Sequence, residues 1–280
     1  MRNVNVETIT EAVKKLSMDS NYYLGDDVVD ALKKALPKEE SPLGKEILKQ
    51  ILENAEISKN EKMPLCQDTG LSAIFVELGQ EVHVEGGDFE GAINEGIRQG
   101  YKEGYLRKSI VEDPLRRKNT GDNTPAVVST RIVPGDKIKI TILPKGGGSE
   151  NMSAIRMLKP SDGEEGFKTF VVETVKKAGG NPCPPIIVGA AIGGSFDKCA
   201  YLAKKALLRK VGSVHPDPYY AAMEKELLER VNNTGVGPQG LGGRITALAV
   251  HIEAHPCHIA SMPAAVNTQC HSARHKEVII

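Results

Sequence analysis

Apolar residues recur at helical spacing through the first sixty positions and at strand-like spacing through much of the remaining chain. Val6, Ile9, Val13 and Leu16 lie three or four residues apart, which sets them on one face of a helix. Asp26 or Asp27 suits the cap of a second helix carrying Val28, Leu32, Ala35 and Leu36, with Pro37 to end it. Ser41-Pro42 then supplies an N-cap and a proline at the first helical position. Leu43, Ile47, Leu48, Ile51, Leu52 and Ala55 form the apolar stripe of a third helix. These helices suggest no chemistry, and packing or subunit contact is their expected role.

Beyond Cys66 the pattern turns to short apolar runs separated by glycine-rich turns. Ala73–Leu78 and Val127–Leu143 read as strands, the second broken by the turn Pro134-Gly135-Asp136. Ile186–Ile192 is an apolar run of strand length that leads through Gly193-Gly194-Ser195 into a helix over Asp197–Arg209, and Thr246–Ile252 reads as a further strand. Helices are predicted over Phe89–Tyr101, Glu165–Ala178 and Tyr219–Val231. Strands alternating with helices predict an α/β chain of mixed α+β character, a helical N-terminal portion followed by a mixed-sheet core flanked by helices. The expected division is a helical lead-in over residues 1–60, part of the same unit, and a main domain over 61–280.

Composition narrows the function classes. Lys plus Arg equals Asp plus Glu at 36 each, so no net charge draws the chain to nucleic acid or to an anionic membrane. No apolar run approaches the ~18–20 residues of a membrane span, and the N-terminus lacks the apolar core of a signal peptide. A cytoplasmic protein is therefore expected. There, five cysteines argue for metal binding, catalysis or burial rather than a disulfide framework.

Three of those cysteines lie in segments that read as active-site loops: Pro64-Leu65-Cys66-Gln67-Asp68-Thr69-Gly70, Asn181-Pro182-Cys183-Pro184-Pro185 and Val266-Asn267-Thr268-Gln269-Cys270-His271. Three thiolates are one short of a full set for a cubane iron–sulfur cluster, and a cluster so held keeps one iron open to a substrate oxygen. Cys66 adjoins an amide and a carboxylate, Gln67 and Asp68, although Asp-Thr-Gly is also ordinary turn chemistry. The prolines around Cys183 hold it in a stiff, non-helical segment, which suits a ligand. Lys145-Gly146-Gly147-Gly148 comes after a predicted strand, and its backbone N–H groups and lysine suit an anion; a surface turn is the plainer reading. Cys199 falls inside a predicted helix, where a small apolar side chain is the usual occupant. The C-terminal region holds His251, His255, Cys257, His258, Cys270, His271 and His275, which leaves open a zinc- or cluster-binding module without catalysis. Spacing does not decide between Cys257 and Cys270 as the third thiolate.

Taken together and in order, these segments resemble the α subunit of the iron–sulfur (class I) fumarate hydratases and the closely similar L(+)-tartrate dehydratases. Tyr105-Leu106-Arg107-Lys108-Ser109, Asn119–Pro125, Gly189–Cys199, Gly237–Gly243 and Ala265–His275 share in the likeness, which covers nearly everything after residue 60. The resemblance implies that Cys66, Cys183 and Cys270 ligate a [4Fe–4S] cluster with one open iron. It sets Gln67, Asp68, Arg107, Lys145 with Gly147, and His258 near a bound dicarboxylate, with Asp68 and His258 as the catalytic pair. Cys257 stands where the family has a residue that is not a ligand, which favours Cys270. After the last cysteine the family often has Trp-Ala-x-Arg, whereas this chain has His271-Ser272-Ala273-Arg274, a departure that bears on the packing there. The chain stops soon after Cys270, so the resemblance implies an α subunit needing a β subunit, in a hetero-oligomer of two α and two β chains. The β chain would bring further site residues, including a threonine that could be the base with Asp68 in support. The implied reaction is the tricarboxylic acid cycle hydration of fumarate to (S)-malate; dehydration of L(+)-tartrate to oxaloacetate is the alternative.

Overall fold

The computed structural model describes residues 1–280. In chain order the elements are β1 (Arg2–Asn5), α1 (Val6–Tyr22), α2 (Asp26–Ala35), α3 (Pro42–Glu61), β2 (Leu71–Gly79), β3 (Val82–Glu85), α4 (Phe89–Glu103), β4 (Val127–Val133) and β5 (Ile138–Lys145). Next come α5 (Gly147–Glu150), β6 (Ala154–Leu158), α6 (Gly163–Ala178), β7 (Ile186–Gly193), α7 (Phe196–Ala206), α8 (Pro218–Asn232), β8 (Ala247–His255), β9 (Met262–Gln269) and β10 (Lys276–Ile279). The α/β class holds, with three N-terminal helices and mixed sheets. No helix is long and apolar enough to cross a membrane. Two compact units share the chain: Met1–Leu24, Glu56–Gly147 and Arg274–Ile280 in the first, Gly25–Ala55 and Gly148–Ala273 in the second.

In the first unit the sheet runs β10-β5-β2-β4, with β5 antiparallel to both of its neighbours and β4 parallel to β2. The stripe of α1 (Ile9, Val13, Leu16) and that of α4 (Ile93, Ile97, Tyr101) are buried with Ile74, Val76, Ile138, Ile140 and Ile142 of β2 and β5. Each such aliphatic side chain contributes roughly 1.5–3 kcal/mol on leaving water. At the start of β2, Gly70 has φ of 78°, and a Cβ there would lie 2.7 Å from the backbone nitrogen of Lys145. Only glycine meets both conditions.

In the second unit the order is β6-β9-β7-β8, with β7 parallel to β8 and antiparallel to β9. Alternation along β7 sends Val188 and Ala190 into a core with Phe167, Phe170 and Val171 of α6 and Leu227 and Val231 of α8. Ala191, of the opposite parity, packs against Cys199, Leu202 and Ala203 of α7. The Glu39 carboxylate, almost wholly buried, accepts backbone N–H bonds from Glu40, Ser41, Arg244 and Ile245. Burial works to raise its pKa, and those four amides more than offset this, so the net shift is downward.

Five strands were not anticipated: β1, β3, β6, β9 and β10. The most consequential is β9, because it turns the expected loop before Cys270 into a strand. Asn267, Thr268 and Gln269 are polar but buried. Thr268 Oγ1 donates to the Ser149 carbonyl at 3.0 Å, and Asn267 Nδ2 donates to Ser153 Oγ at 2.9 Å. Cys270 therefore leaves directly from a strand end.

Candidate functional site

The turn that carries Cys66, Gln67 and Asp68 is tied on every side within the first unit. The Asp68 amide points at Cys66 Sγ (3.4 Å), so the sulfur faces a backbone donor. The two oxygens of the Asp68 carboxylate accept separate amides: Oδ1 from Gly70 at 3.0 Å and Oδ2 from Gly147 at 2.8 Å. The anion held by the glycine-rich segment is thus the protein's own carboxylate. Gln67 is exposed, Asp68 and Cys66 are half-buried, and Lys145 is fully buried at the end of β5.

Three successive carbonyls of the turn are gripped by buried side chains. Arg274 Nη2 donates to Asp68 O. Tyr101 Oη is shared between Thr69 O (2.9 Å) and Gly70 O (3.1 Å). Asn123 Nδ2 also donates to Gly70 O at 3.2 Å. Burial pushes the Tyr101 phenol up in pKa, so it stays a donor, although the charge of Arg274 works the other way. Arg107 belongs to the same assembly: Thr69 Oγ1 donates to its carbonyl at 2.9 Å, while its side chain is exposed. Asn123 Oδ1 accepts the Ser109 amide at 2.7 Å, and Asn119 Nδ2 donates to Lys108 O at 3.0 Å, so Asn119–Pro125 works as the support of the Arg107 segment. No role for Tyr101, Asn123 or Arg274 is read from the sequence, although Asn123 and Arg274 lie in segments that share in the resemblance. Their partners lie 31 to 206 residues away along the chain, where no local spacing could signal them.

In the second unit, Cys183 and Cys270 are brought together through the backbone. The Cys183 carbonyl accepts the amide of His271, the residue after Cys270, at 3.3 Å, and meets His271 Nδ1 at 3.0 Å. His271 also meets Gln239 Nε2 at 3.1 Å, which itself donates to Pro184 O. His271 thus serves as a hydrogen-bonding bracket between the two cysteine segments. Cys183 is exposed, at φ of 55°, with its amide bonded to Gly180 O. Cys257 is engaged elsewhere, its Sγ bonded to Ser261 O within its own turn at 3.2 Å. Cys199 is buried on α7 facing Ala191 O, and desolvation pushes its thiol up to about 11. It is a core residue.

His258 sits on the exposed turn after β8. Its Nδ1 accepts the Ala260 amide at 3.1 Å, so in the neutral ring the proton is on Nε2. His251, on β8, is buried; desolvation, followed by the charge of Arg209, lowers its pKa to about 4.

Cys66, Cys183 and Cys270 form no disulfide, and none is fully buried. Within the second unit, Cys183 and Cys270 sit on segments tied to one another through the backbone, and their thiols are donors of the kind an iron–sulfur cluster takes.

Comparison with known proteins places the chain among relatives over nearly its whole length. Residues 10–279 match the family Fumarate hydratase (Fumerase). A Methanocaldococcus jannaschii protein, provisionally named L(+)-tartrate dehydratase subunit alpha, is 46% identical over 272 residues, 95% of each chain. The L(+)-tartrate dehydratase subunit alpha of Escherichia coli O157:H7 is 34% identical over 278 residues, 98% of this chain and 91% of its own. That of Escherichia coli strain UTI89 is 35% identical, covering 96% of this chain and 89% of its own.

Proposed function

Since the chain belongs to the Fumarate hydratase (Fumerase) family of hydro-lyases, we propose that it adds water reversibly across the double bond of fumarate, giving (S)-malate, as an α subunit paired with a β subunit. The observation that carries this reading is the Asp68 carboxylate aimed by two amides on the turn that bears Cys66. That turn presents a sulfur ligand, an amide, a carboxylate and, through Thr69, the Arg107 segment.

Cys66, Cys183 and Cys270 would hold a [4Fe–4S] cluster, which supplies Lewis acidity to the substrate hydroxyl when bound. The residues of this chain divide the remaining work. Arg107, exposed and free to form a fork, holds a substrate carboxylate. Gln67 binds beside it. A proton on the carbon next to a carboxylate is weakly acidic, so its removal needs a placed base. Asp68 takes that proton, or supports a base from the β subunit. Gly147 contributes by aiming Asp68, since its amide is already committed to that carboxylate. Lys145, the other substrate-binding candidate, lies fully buried at the end of β5, beneath the Gly70 backbone. His258 turns its Nε2–H outward to orient or protonate the substrate.

A second reading, dehydration of L(+)-tartrate, is supported by the names of the Methanocaldococcus and Escherichia relatives. The two differ by one substrate hydroxyl. Anaerobic co-production with the β subunit, then assay with fumarate, (S)-malate and both tartrates, separates them. Turnover of fumarate and malate at higher kcat/KM than tartrate is the expected result; the reverse order transfers the assignment to tartrate.

A further inference from the structure

Arg274 is 1% exposed and forms no ion pair, and only one of its nitrogens has an acceptor. Nη2 donates to the Asp68 carbonyl, while Nε and Nη1 have no partner. A buried guanidinium is costly unless it is paired and bonded, and an apolar chain of similar volume would fill the space at lower cost. Packing alone therefore does not account for an arginine here. Its one bond goes to the residue whose carboxylate is the candidate base, at the first of the three gripped carbonyls. Tyr101 and Asn123 hold the next two. The three grips differ in kind: two are neutral side chains, and Arg274 alone brings charge to a turn that carries a sulfur ligand and a carboxylate.

We infer that Arg274 is a positioning residue for the hydro-lyase reaction: it fixes the Asp68 main chain, and so the aim of the carboxylate toward the substrate. The inference rests on Asp68 being the base or the support of one. Arg274 touches neither substrate nor reacting atoms in this scheme; it acts through Asp68. Small displacements of a catalytic group can cost about a hundredfold in rate, so loss of the grip should appear in kcat rather than in KM.

The test uses the α–β complex carrying Arg274→Lys, with Arg274→Gln as a second variant and each combined with Asp68→Asn. Expected for Arg274→Lys is a kcat reduced about 30-fold or more, KM within about threefold and iron and sulfide content unchanged. Amide hydrogen exchange at Gly70 and Gly147, whose N–H groups bond the Asp68 carboxylate, should quicken while β5 stays protected. In the Asp68→Asn background, either substitution at Arg274 should cost less than about threefold more, since both act through one group. A kcat within about threefold of the parent, a full additional loss in that background, or a kcat loss that tracks loss of iron would each overturn the inference. If the parent complex hydrates no fumarate and dehydrates no tartrate, the functional reading fails, while exchange at Gly70 and Gly147 still reports on the grip.

Discussion

Two turns carry the candidate catalytic pair, and they are built in opposite ways. The turn from Cys66 to Gly70 is held by Tyr101, Asn123, Gly147 and Arg274, all remote in sequence. The turn from Pro256 to Ser261 is held by its own atoms: Ala260 N to His258 Nδ1, Ser261 N to His258 O at 2.9 Å, and Cys257 Sγ to Ser261 O. In the first, the fold dictates where the carboxylate points. In the second, local chemistry sets the histidine and the fold only delivers it. Activity should thus be sensitive to distant substitutions through Asp68 and to near ones only through His258.

The cysteines probe this contrast most severely. Cys183→Ser and Cys270→Ser should reduce cluster absorbance and activity to background. Cys257→Ser, altering the self-contained turn, and Cys199→Ser, altering the core, should keep both. Iron and sulfide analysis of anaerobic protein decides it, and equal loss from all four substitutions would break the ligand assignment. Next comes Asp68→Asn. Its amide cannot accept from both Gly70 and Gly147, so a donor would face a donor at one of them, and a base would be lost. A fall of about 10²–10⁴ in kcat is expected, in the range of general base catalysis. A fall of less than about tenfold would take Asp68 out of the reaction.

His258→Asn should lower kcat by about 10² while Tm moves by no more than roughly 2 °C, because the side chain is exposed and its turn is local. A large Tm change would show that the two turns are less different than their bonding suggests. The smallest effect at neutral pH belongs to His251. Its pKa of about 4 in the fold lies below the ordinary 6.5, so the unfolded chain takes up a proton first as pH falls. Its contribution is intact above about pH 6.5 and is lost between there and about pH 4, a change of order 3 kcal/mol. Urea midpoints measured across that window should fall more steeply in the parent than in His251→Asn; parallel slopes would refute the claim.

Much of this was legible in the sequence, for reasons tied to particular residues. The stripe of α1 and the Ser41-Pro42 start of α3 are local signals, and both helices formed where these pointed. Strand β9 was hidden because Asn267, Thr268 and Gln269 look like loop residues until buried partners such as Ser149 and Ser153 are supplied. In the site, the residues able to do chemistry could be named from their types and neighbours. Those that hold them in place could not, since Tyr101, Asn123 and Arg274 act on the turn across long stretches of chain.

Gly70 brings no functional group to any reaction, yet its backbone rests against β5 with no clearance for a methyl. Even alanine would have to push the carboxylate and the sulfur beside it off their seat, whatever it did to overall stability. Tolerance to substitution around this turn should track distance from that strand rather than distance from the chemistry, so a residue without a role in bond making can be among the hardest to replace.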